Sequence, residues 1–184
     1  ARLDAGTDVG RIARDLFPGG TEIPYQGVPI REQITRTKAL IEEDATVLYE
    51  PAFCHDGVFV KVDILRKVEN RWNIYEVKST TDVKDVHVQD GAIQAYVVRG
   101  AGLPVSRTHI VHIDGSYVRK GGIEPGKLFS VADITADISG MDDEIRDNIE
   151  TFKTVLRSGQ APDVPIGKQC CDPYACDFEH VCWP

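Results

Sequence analysis

Two stretches decide the fold: VFVKVDIL at residues 58–65 and WNIYEVKS at residues 72–79. Both are rich in β-branched and aromatic residues, and their polar residues alternate, which predicts two β-strands joined by a short connection. A hairpin turn centred on residues 69–70 sets Asp63 directly opposite Glu76. The two stretches therefore predict a pair of neighbouring carboxylates on one antiparallel hairpin.

A lysine completes this group. Residues two apart on a strand share a face, so Lys78 lies one step along from Glu76. Two carboxylates held close together repel each other unless a divalent cation lies between them, and an adjacent lysine can orient or deprotonate a metal-bound water and stabilise charge on a phosphate. Asp63 by itself also fits the wet face of an ordinary strand. Glu76 and Lys78 fit that alternative less well, because Tyr75 and Val77 indicate a strand covered on both faces.

The composition limits the classes of protein to consider. The chain has 184 residues, 42% hydrophobic and 27% charged, which is typical of one globular domain with at most a small appendage. No apolar run reaches the ~20 residues that cross a bilayer. The net charge of −8 argues against a polybasic coat, although it leaves room for a local basic groove. The chain opens with Ala-Arg-Leu-Asp and carries no signal peptide, so we expect a cytoplasmic piece of a longer protein with additional domains or subunits and no membrane partner.

The remaining elements follow from periodicity and from Gly and Pro boundaries. Helices and strands alternate in an order that predicts an α/β fold, a three-layer α/β/α sandwich whose mixed sheet is built on an antiparallel β-meander. The predicted helices are residues 3–17, 30–43, 85–99 and 142–157, and the predicted strands are residues 46–53, 58–68, 72–79 and 107–113.

Four of the five cysteines lie between residues 170 and 182. Cys170, Cys176 and Cys182 are each separated by five residues, and three thiols in so short a stretch favour a soft-metal or iron–sulfur site in a reducing compartment. Zn²⁺ held by these three cysteines and His180 is the competing interpretation. Cys54, at a strand end, also fits a small buried hydrophobic residue.

A resemblance now becomes specific. Asp63, twelve intervening residues and then Glu76-Val77-Lys78 are similar to the bipartite motif of the PD-(D/E)XK nuclease superfamily. Glu50, in the sequence YEPAF, resembles the strand that precedes the aspartate in RecB-like nucleases. Gln94-Ala-Tyr96 resembles their Gln/Tyr motif. With its cysteine tail, the chain is most similar to the RecB-like and CRISPR-associated-exonuclease-like group, over about residues 3–183.

The resemblance implies a restriction-endonuclease-like core at residues 1–164, with a cysteine-rich tail at residues 165–184 packed on it. It implies catalytic roles, Mg²⁺ or Mn²⁺ binding and supporting roles for a set of hairpin and helix residues. Asp63 and Glu76 would bind the metal together with the Val77 carbonyl, Lys78 would be the catalytic lysine, Gln94 would steady the metal site or the DNA backbone, and Glu50 and Tyr96 would support them. Related enzymes place a metal-binding His on the first helix, where this chain offers Asp8 as a substitute.

The same resemblance implies a [4Fe–4S] cluster held by Cys170, Cys176 and Cys182. The fourth ligand is Cys171, Cys54 or a cysteine outside this sequence. We therefore expect a divalent-metal-dependent deoxyribonuclease, exonuclease-like and acting on single-stranded DNA or duplex ends in repair, recombination or defence. The alternatives are a catalytically silent nuclease fold that binds DNA or assembles a longer protein, and a metal-binding structural domain without a nucleic-acid function.

Overall fold

The computed structural model describes the backbone of residues 2–172 and 174–182, and the side chains of residues 8–172 and 174–182. These residues fall into two compact units, residues up to 145 and residues from 146 onward. The helices are α1 (Arg2–Ala13), α2 (Ile30–Glu42), α3 (Asp85–Gly100), α4 (Pro125–Leu128), α5 (Asp142–Ser158) and α6 (Glu179–Cys182), and short 3₁₀ helices span Arg14–Leu16 and Lys168–Cys170. The strands are β1 (Thr21–Glu22), β2 (Val47–Tyr49), β3 (Ala52–His55), β4 (Val58–Lys61), β5 (Ile64–Val68), β6 (Arg71–Lys78), β7 (Val105–Ile113) and β8 (Phe129–Asp133).

Six of the eight described strands, all in the first unit, form a mixed sheet in the order β1-β2-β5-β6-β7-β8. The β1/β2 and β6/β7 pairs are parallel, and the other neighbours are antiparallel. Ile64 pairs with Tyr75, so the predicted hairpin register is confirmed, and the same register sets Asp63 opposite Glu76. The mixed α/β class with helices flanking the sheet is also confirmed.

The first two strands of the meander are not continuous, which corrects the predictions for residues 46–53 and 58–68. Each is broken in the middle, at Glu50-Pro51 and at Val62-Asp63, and the outer halves β3 and β4 pair as a separate hairpin. Pro51 has no N–H to donate to a ladder, and Glu50 has a left-handed φ of 57°. Two backbone bonds tie the breaks together, from Glu50 N–H to the Asp63 oxygen (3.1 Å) and from Val62 N–H to the Pro51 oxygen (3.0 Å). The long hairpin therefore bends as one piece, and Asp63 lies at the bend.

Helices cover the sheet because alternate side chains of its strands point to opposite faces. On one face, Ala13 and Phe17 pack with Tyr75 and Val111 in a buried cluster. On the other face lies α3, which also packs against the β3–β4 hairpin. Gly91 allows this helix to come close to the sheet, since a Cβ there would lie 2.7 Å from Ile134 Cδ1 and 3.3 Å from Thr108 Cγ2.

The edge of the sheet and the second unit complete the description. Strand β8 and the single-turn α4 before it lie outside the predicted elements, whereas α5 matches its predicted range to within one residue. In the second unit, the N–H of Cys176 donates to the Cys170 oxygen (2.8 Å), so the tail folds back on itself locally. Among the described residues, no helix has both the length and the apolar character required to cross a membrane.

Candidate active site

The bend in the hairpin brings three carboxylates to one end of β5 and β6. Asp63 precedes β5, Glu76 lies on β6, and Glu50 lies at the opposite break. Asp63 and Glu76 lie opposite each other on the hairpin, and the Glu76 carboxylate acts electrostatically on the Asp63 carboxyl group. Desolvation by burial, the Glu76 carboxylate and, to a smaller extent, the Glu50 carboxylate raise the pKa of Asp63 well above its ordinary value. The site therefore concentrates negative charge where water is scarce.

Asp63 is held in place by the strand that carries its partner. Its Oδ2 atom accepts a hydrogen bond of 2.7 Å from the backbone N–H of Val77. This bond alone would lower the pKa of the carboxyl group, but desolvation and the neighbouring carboxylates outweigh it. The predicted contact between Asp63 and the EVK strand thus exists, with the Val77 amide as its anchor.

Both oxygens of the buried Glu76 carboxylate have donors. Oε1 accepts from Lys78 Nζ at 2.8 Å, and Oε2 accepts from Gln94 Nε2 at 2.7 Å. Gln94 reaches the strand because α3 packs on this face of the sheet. Its own Oε1 atom is buried and has no hydrogen-bond partner in the part of the chain that the structure describes. The amide therefore orients Glu76 and leaves one acceptor free next to the carboxylates.

Lys78 is held by two carboxylates from different elements. Besides Glu76, its Nζ atom contacts Asp90 Oδ2 of α3 at 2.5 Å. Burial alone would lower the pKa of Lys78, but the carboxylates of Glu76 and Asp90 outweigh it and raise the pKa. The side chain is consequently an ammonium at any physiological pH, suited to stabilising negative charge rather than to accepting a proton.

Glu50 does not stand free beside Asp63. Its Oε1 atom contacts Arg14 at 3.3 Å, and its Oε2 atom contacts Lys61 Nζ at 2.7 Å. Lys61 also lies over the ring of Tyr25, 3.2 Å from the centroid. Glu50 therefore pairs with two cations at the edge of the carboxylate group, and its predicted support of a metal site stays a prediction.

Sequence reasoning missed Asp90, Arg14 and Lys61. Asp90 precedes Gln94 by four residues, so both lie on one face of the helix, and this spacing could have identified it. Lys61 is two residues before Asp63 in the sequence and could have been found in the same way. Arg14 has no comparable local signal, because only the packed fold brings the end of α1 to Glu50.

Two other predicted residues, Tyr96 and Asp8, lie elsewhere. Tyr96 is buried, with its ring centroid 5.5 Å from that of His55 on the hairpin. Asp8 is exposed and pairs with Arg11 at 3.1 Å. His87, buried in the first turn of α3, accepts the Lys84 N–H at Nδ1 (3.2 Å), and burial together with the charges of Lys78 and Lys84 lowers its pKa.

The cysteines are all thiols in this structure. Cys54 is exposed on β3, Cys170 is partly exposed, and Cys171, Cys176 and Cys182 are exposed in the second unit. Within the described ranges, no three His, Cys, Asp or Glu side chains are grouped so that they could hold a metal ion by themselves.

Comparison with known proteins adds no family. No protein-family model matches the chain, and no curated protein matches its sequence. The assignment of a function therefore rests on the geometry of the carboxylates, Lys78 and Gln94.

Proposed function

We propose that this chain is a divalent-cation-dependent deoxyribonuclease of the PD-(D/E)XK type, with a restriction-endonuclease-like core. One observation carries the proposal: Asp63 and Glu76 lie opposite each other at the bend of a hairpin, where the Glu76 carboxylate acts on Asp63, and the Lys78 ammonium lies 2.8 Å from Glu76. Repulsion between neighbouring carboxylates destabilises a fold unless a cation or a proton offsets it. Such pairs are therefore common at functional sites. Binding of a divalent cation is the purpose that also accounts for the lysine.

The side chains present fit Mg²⁺ or Mn²⁺. Both are hard cations that prefer oxygen ligands, and Mg²⁺ is commonly held by one or two carboxylates, with water and substrate phosphate as the other ligands. Asp63 and Glu76 supply the two carboxylates. Burial and the Glu76 carboxylate raise the pKa of Asp63, and a bound cation would oppose both effects. The unpartnered Gln94 oxygen is a further neutral acceptor nearby, and the Val77 carbonyl is the remaining proposed ligand.

Each residue then has a task in phosphodiester hydrolysis. The cation supplies Lewis acidity and an activated water. Asp63 and Glu76 fix its position, and Gln94 keeps the Glu76 carboxylate oriented through the 2.7 Å hydrogen bond. The Lys78 ammonium stabilises negative charge that develops on the phosphate.

Two cations beside the carboxylates are the proposed substrate-binding residues. Arg14 and Lys61, fixed by Glu50, lie next to the carboxylates and can contact the phosphates of a DNA strand. The net charge of −8 by itself disfavours DNA binding. Phosphate binding at Arg14 and Lys61 would therefore replace part of their pairing with Glu50 and Glu22. We propose single-stranded DNA or duplex ends as the substrate, and exonuclease-like cleavage in repair, recombination or defence within a cytoplasmic protein that has further domains.

Cleavage of end-labelled single- and double-stranded DNA tests the proposal. The wild type is compared with Lys78→Ala in Mg²⁺, in Mn²⁺ and in EDTA. Lys67→Ala is the matched control, because Lys67 is also a strand lysine paired with an aspartate, Asp44, at 2.8 Å. We expect metal-dependent cleavage that Lys78→Ala abolishes and Lys67→Ala preserves. An inactive wild type that still binds DNA would instead support a silent DNA-binding module, the alternative that is favoured by the occupied oxygens of Glu76.

We also propose that the tail holds a [4Fe–4S] cluster or Zn²⁺ through Cys170, Cys176 and Cys182. Their five-residue spacing and exposed or partly exposed thiols support this assignment. Iron, sulfide and zinc analysis of anaerobically purified protein would identify the metal. Serine at each of the three positions should release it, and Cys171→Ser or Cys54→Ser tests the two candidates within the chain for the fourth ligand.

A further inference from the structure

Lys78 links the strand that carries Glu76 to helix α3. Its Nζ atom is 2.8 Å from Glu76 Oε1 and 2.5 Å from Asp90 Oδ2. The Lys78 side chain is 18% exposed, whereas that of Asp90 is 51% exposed. The ammonium is thus shared between an inner carboxylate within the proposed metal site and an outer carboxylate that faces solvent.

Both oxygens of the inner carboxylate, that of Glu76, already have a hydrogen-bond donor. Glu76 Oε1 accepts from the ammonium, and Oε2 accepts from Gln94. Gln94 is neutral, but the ammonium carries a charge that repels any dication approaching Glu76. The ammonium therefore disfavours binding of a divalent cation at Glu76, and this repulsion falls when Lys78 moves away from Oε1.

We propose that Asp90 is a positioning residue that receives the Lys78 ammonium when Glu76 binds a divalent cation. The inference rests on the proposed function, because it takes Glu76 as a metal ligand. With Asp90 present, the exchange leaves Lys78 with a charged partner. Without Asp90, an ammonium that left Glu76 would have no carboxylate partner although it is mostly buried. It would therefore stay on Glu76 and compete with the cation.

The fold gives Asp90 the right place for this task. Asp90 and Gln94 are four residues apart on α3 and therefore lie on one face of the helix. From this face Asp90 contacts Lys78, and Gln94 donates to Glu76. Because the ammonium already contacts Asp90, the exchange breaks one contact and requires no new one to form.

Mn²⁺ binding to the full chain, measured by titration calorimetry without any substrate, tests the inference. We expect Asp90→Asn to weaken Mn²⁺ binding by about fivefold, the lower end of coupling between two sites. We expect the same substitution to have almost no effect in a Lys78→Met background, where no ammonium competes. Asp90→Glu restores a carboxylate and should recover most of the affinity. Asp85→Asn, an exposed change in the first turn of the same helix, is the control for loss of a charge.

The outcomes separate the two proposals. Equal weakening by Asp90→Asn in both backgrounds would mean that Asp90 acts through its charge alone, and it would overturn the inference. Unchanged Mn²⁺ affinity in Asp90→Asn would overturn it too. A wild-type chain that binds no Mn²⁺ would overturn the proposed function and the inference together. Circular dichroism identifies any misfolded variant, and the comparison of Asp90→Asn with Asp90→Glu does not depend on the folding of Lys78→Met.

Discussion

The folded protein surrounds the carboxyl group of Asp63 with features that disfavour its ionised form. Desolvation and the carboxylates of Glu76 and Glu50 raise its pKa, although the Val77 amide donates to it. In the unfolded chain the same group has an ordinary pKa of about 4. Asp63 therefore links the stability of the fold to pH, and the sign of that linkage follows from the direction of the shift.

We expect Asp63 to make the metal-free protein less stable as pH rises above its unfolded-state pKa of about 4. Above that pH the unfolded chain releases the Asp63 proton more readily than the folded chain does, so a rise in pH favours unfolding. Asp63→Asn removes this contribution while it keeps an acceptor for the Val77 N–H. Urea denaturation of both proteins in EDTA, at about pH 5 and about pH 7.5, measures the difference between their pH profiles. Parallel profiles would contradict the raised pKa.

Glu50 makes the opposite contribution, because it neutralises two cations. We expect Glu50→Gln to lower the free energy of unfolding by about 1 kcal/mol, since Arg14 and Lys61 lose a partner that is only 21% exposed. Glu32→Gln is the control: it breaks an exposed pair with Arg36 on α2 and should cost less than about 0.5 kcal/mol. Urea denaturation measures both, and equal losses would show that Glu50 behaves as an ordinary surface residue.

At the scale of elements, local patterns predicted what local geometry determines. The hairpin register follows from a two-residue turn, and helix 85–99 follows from its spacing. The sequence therefore predicted the placement of Asp63, Glu76 and Lys78 relative to one another, while their catalytic roles stay predictions. The bend was missed although Pro51 signals it, because two bonds between distant residues, Glu50 to Asp63 and Val62 to Pro51, stabilise it. Asp90 was missed because its importance depends on how α3 docks on β6.

The end of α3 offers a test of how the helix meets the hairpin. A Cβ on Gly100 would overlap the imidazole ring of His55. We expect Gly100→Ala to lower the free energy of unfolding by about 1 kcal/mol, since overpacking costs about 2 kcal/mol and alanine recovers about 1 kcal/mol of helix preference. His55→Ala in the same chain should remove the overlap and restore most of the loss. A Gly100→Ala variant as stable as the wild type would mean that the hairpin moves freely away from the helix.

On the scale of the whole molecule, acidic residues outnumber basic ones, and the charge total is −8. The cations beside the candidate site are nevertheless held by acidic partners: Arg14 and Lys61 by Glu50, and Lys78 by Glu76 and Asp90. These ion pairs hold the cationic side chains in fixed positions. They also mean that a bound dication would change the balance of the entire network.

We expect Mg²⁺ or Mn²⁺ to raise the melting temperature of the wild type and EDTA to reverse the increase. A ligand that binds only the folded state at 100 times its dissociation constant adds about 2.7 kcal/mol to the free energy of unfolding. Asp63→Asn removes one of the two proposed carboxylate ligands and should abolish most of the increase. Differential scanning calorimetry measures the shift. An equal shift in both proteins would place the bound cation elsewhere.

Gly91 allows α3 to pack closely on the sheet. The hydrogen in place of a side chain there sets the clearance between α3 and the sheet, and three residues further along, that clearance determines whether the Gln94 amide reaches Glu76. Hydrogen bonds tolerate displacements of only a few tenths of an ångström before they weaken, which is about the size of the adjustment that an added methyl group imposes. We therefore expect the orientation of Glu76, a proposed metal ligand, to depend on the bulk of a residue that has no functional group.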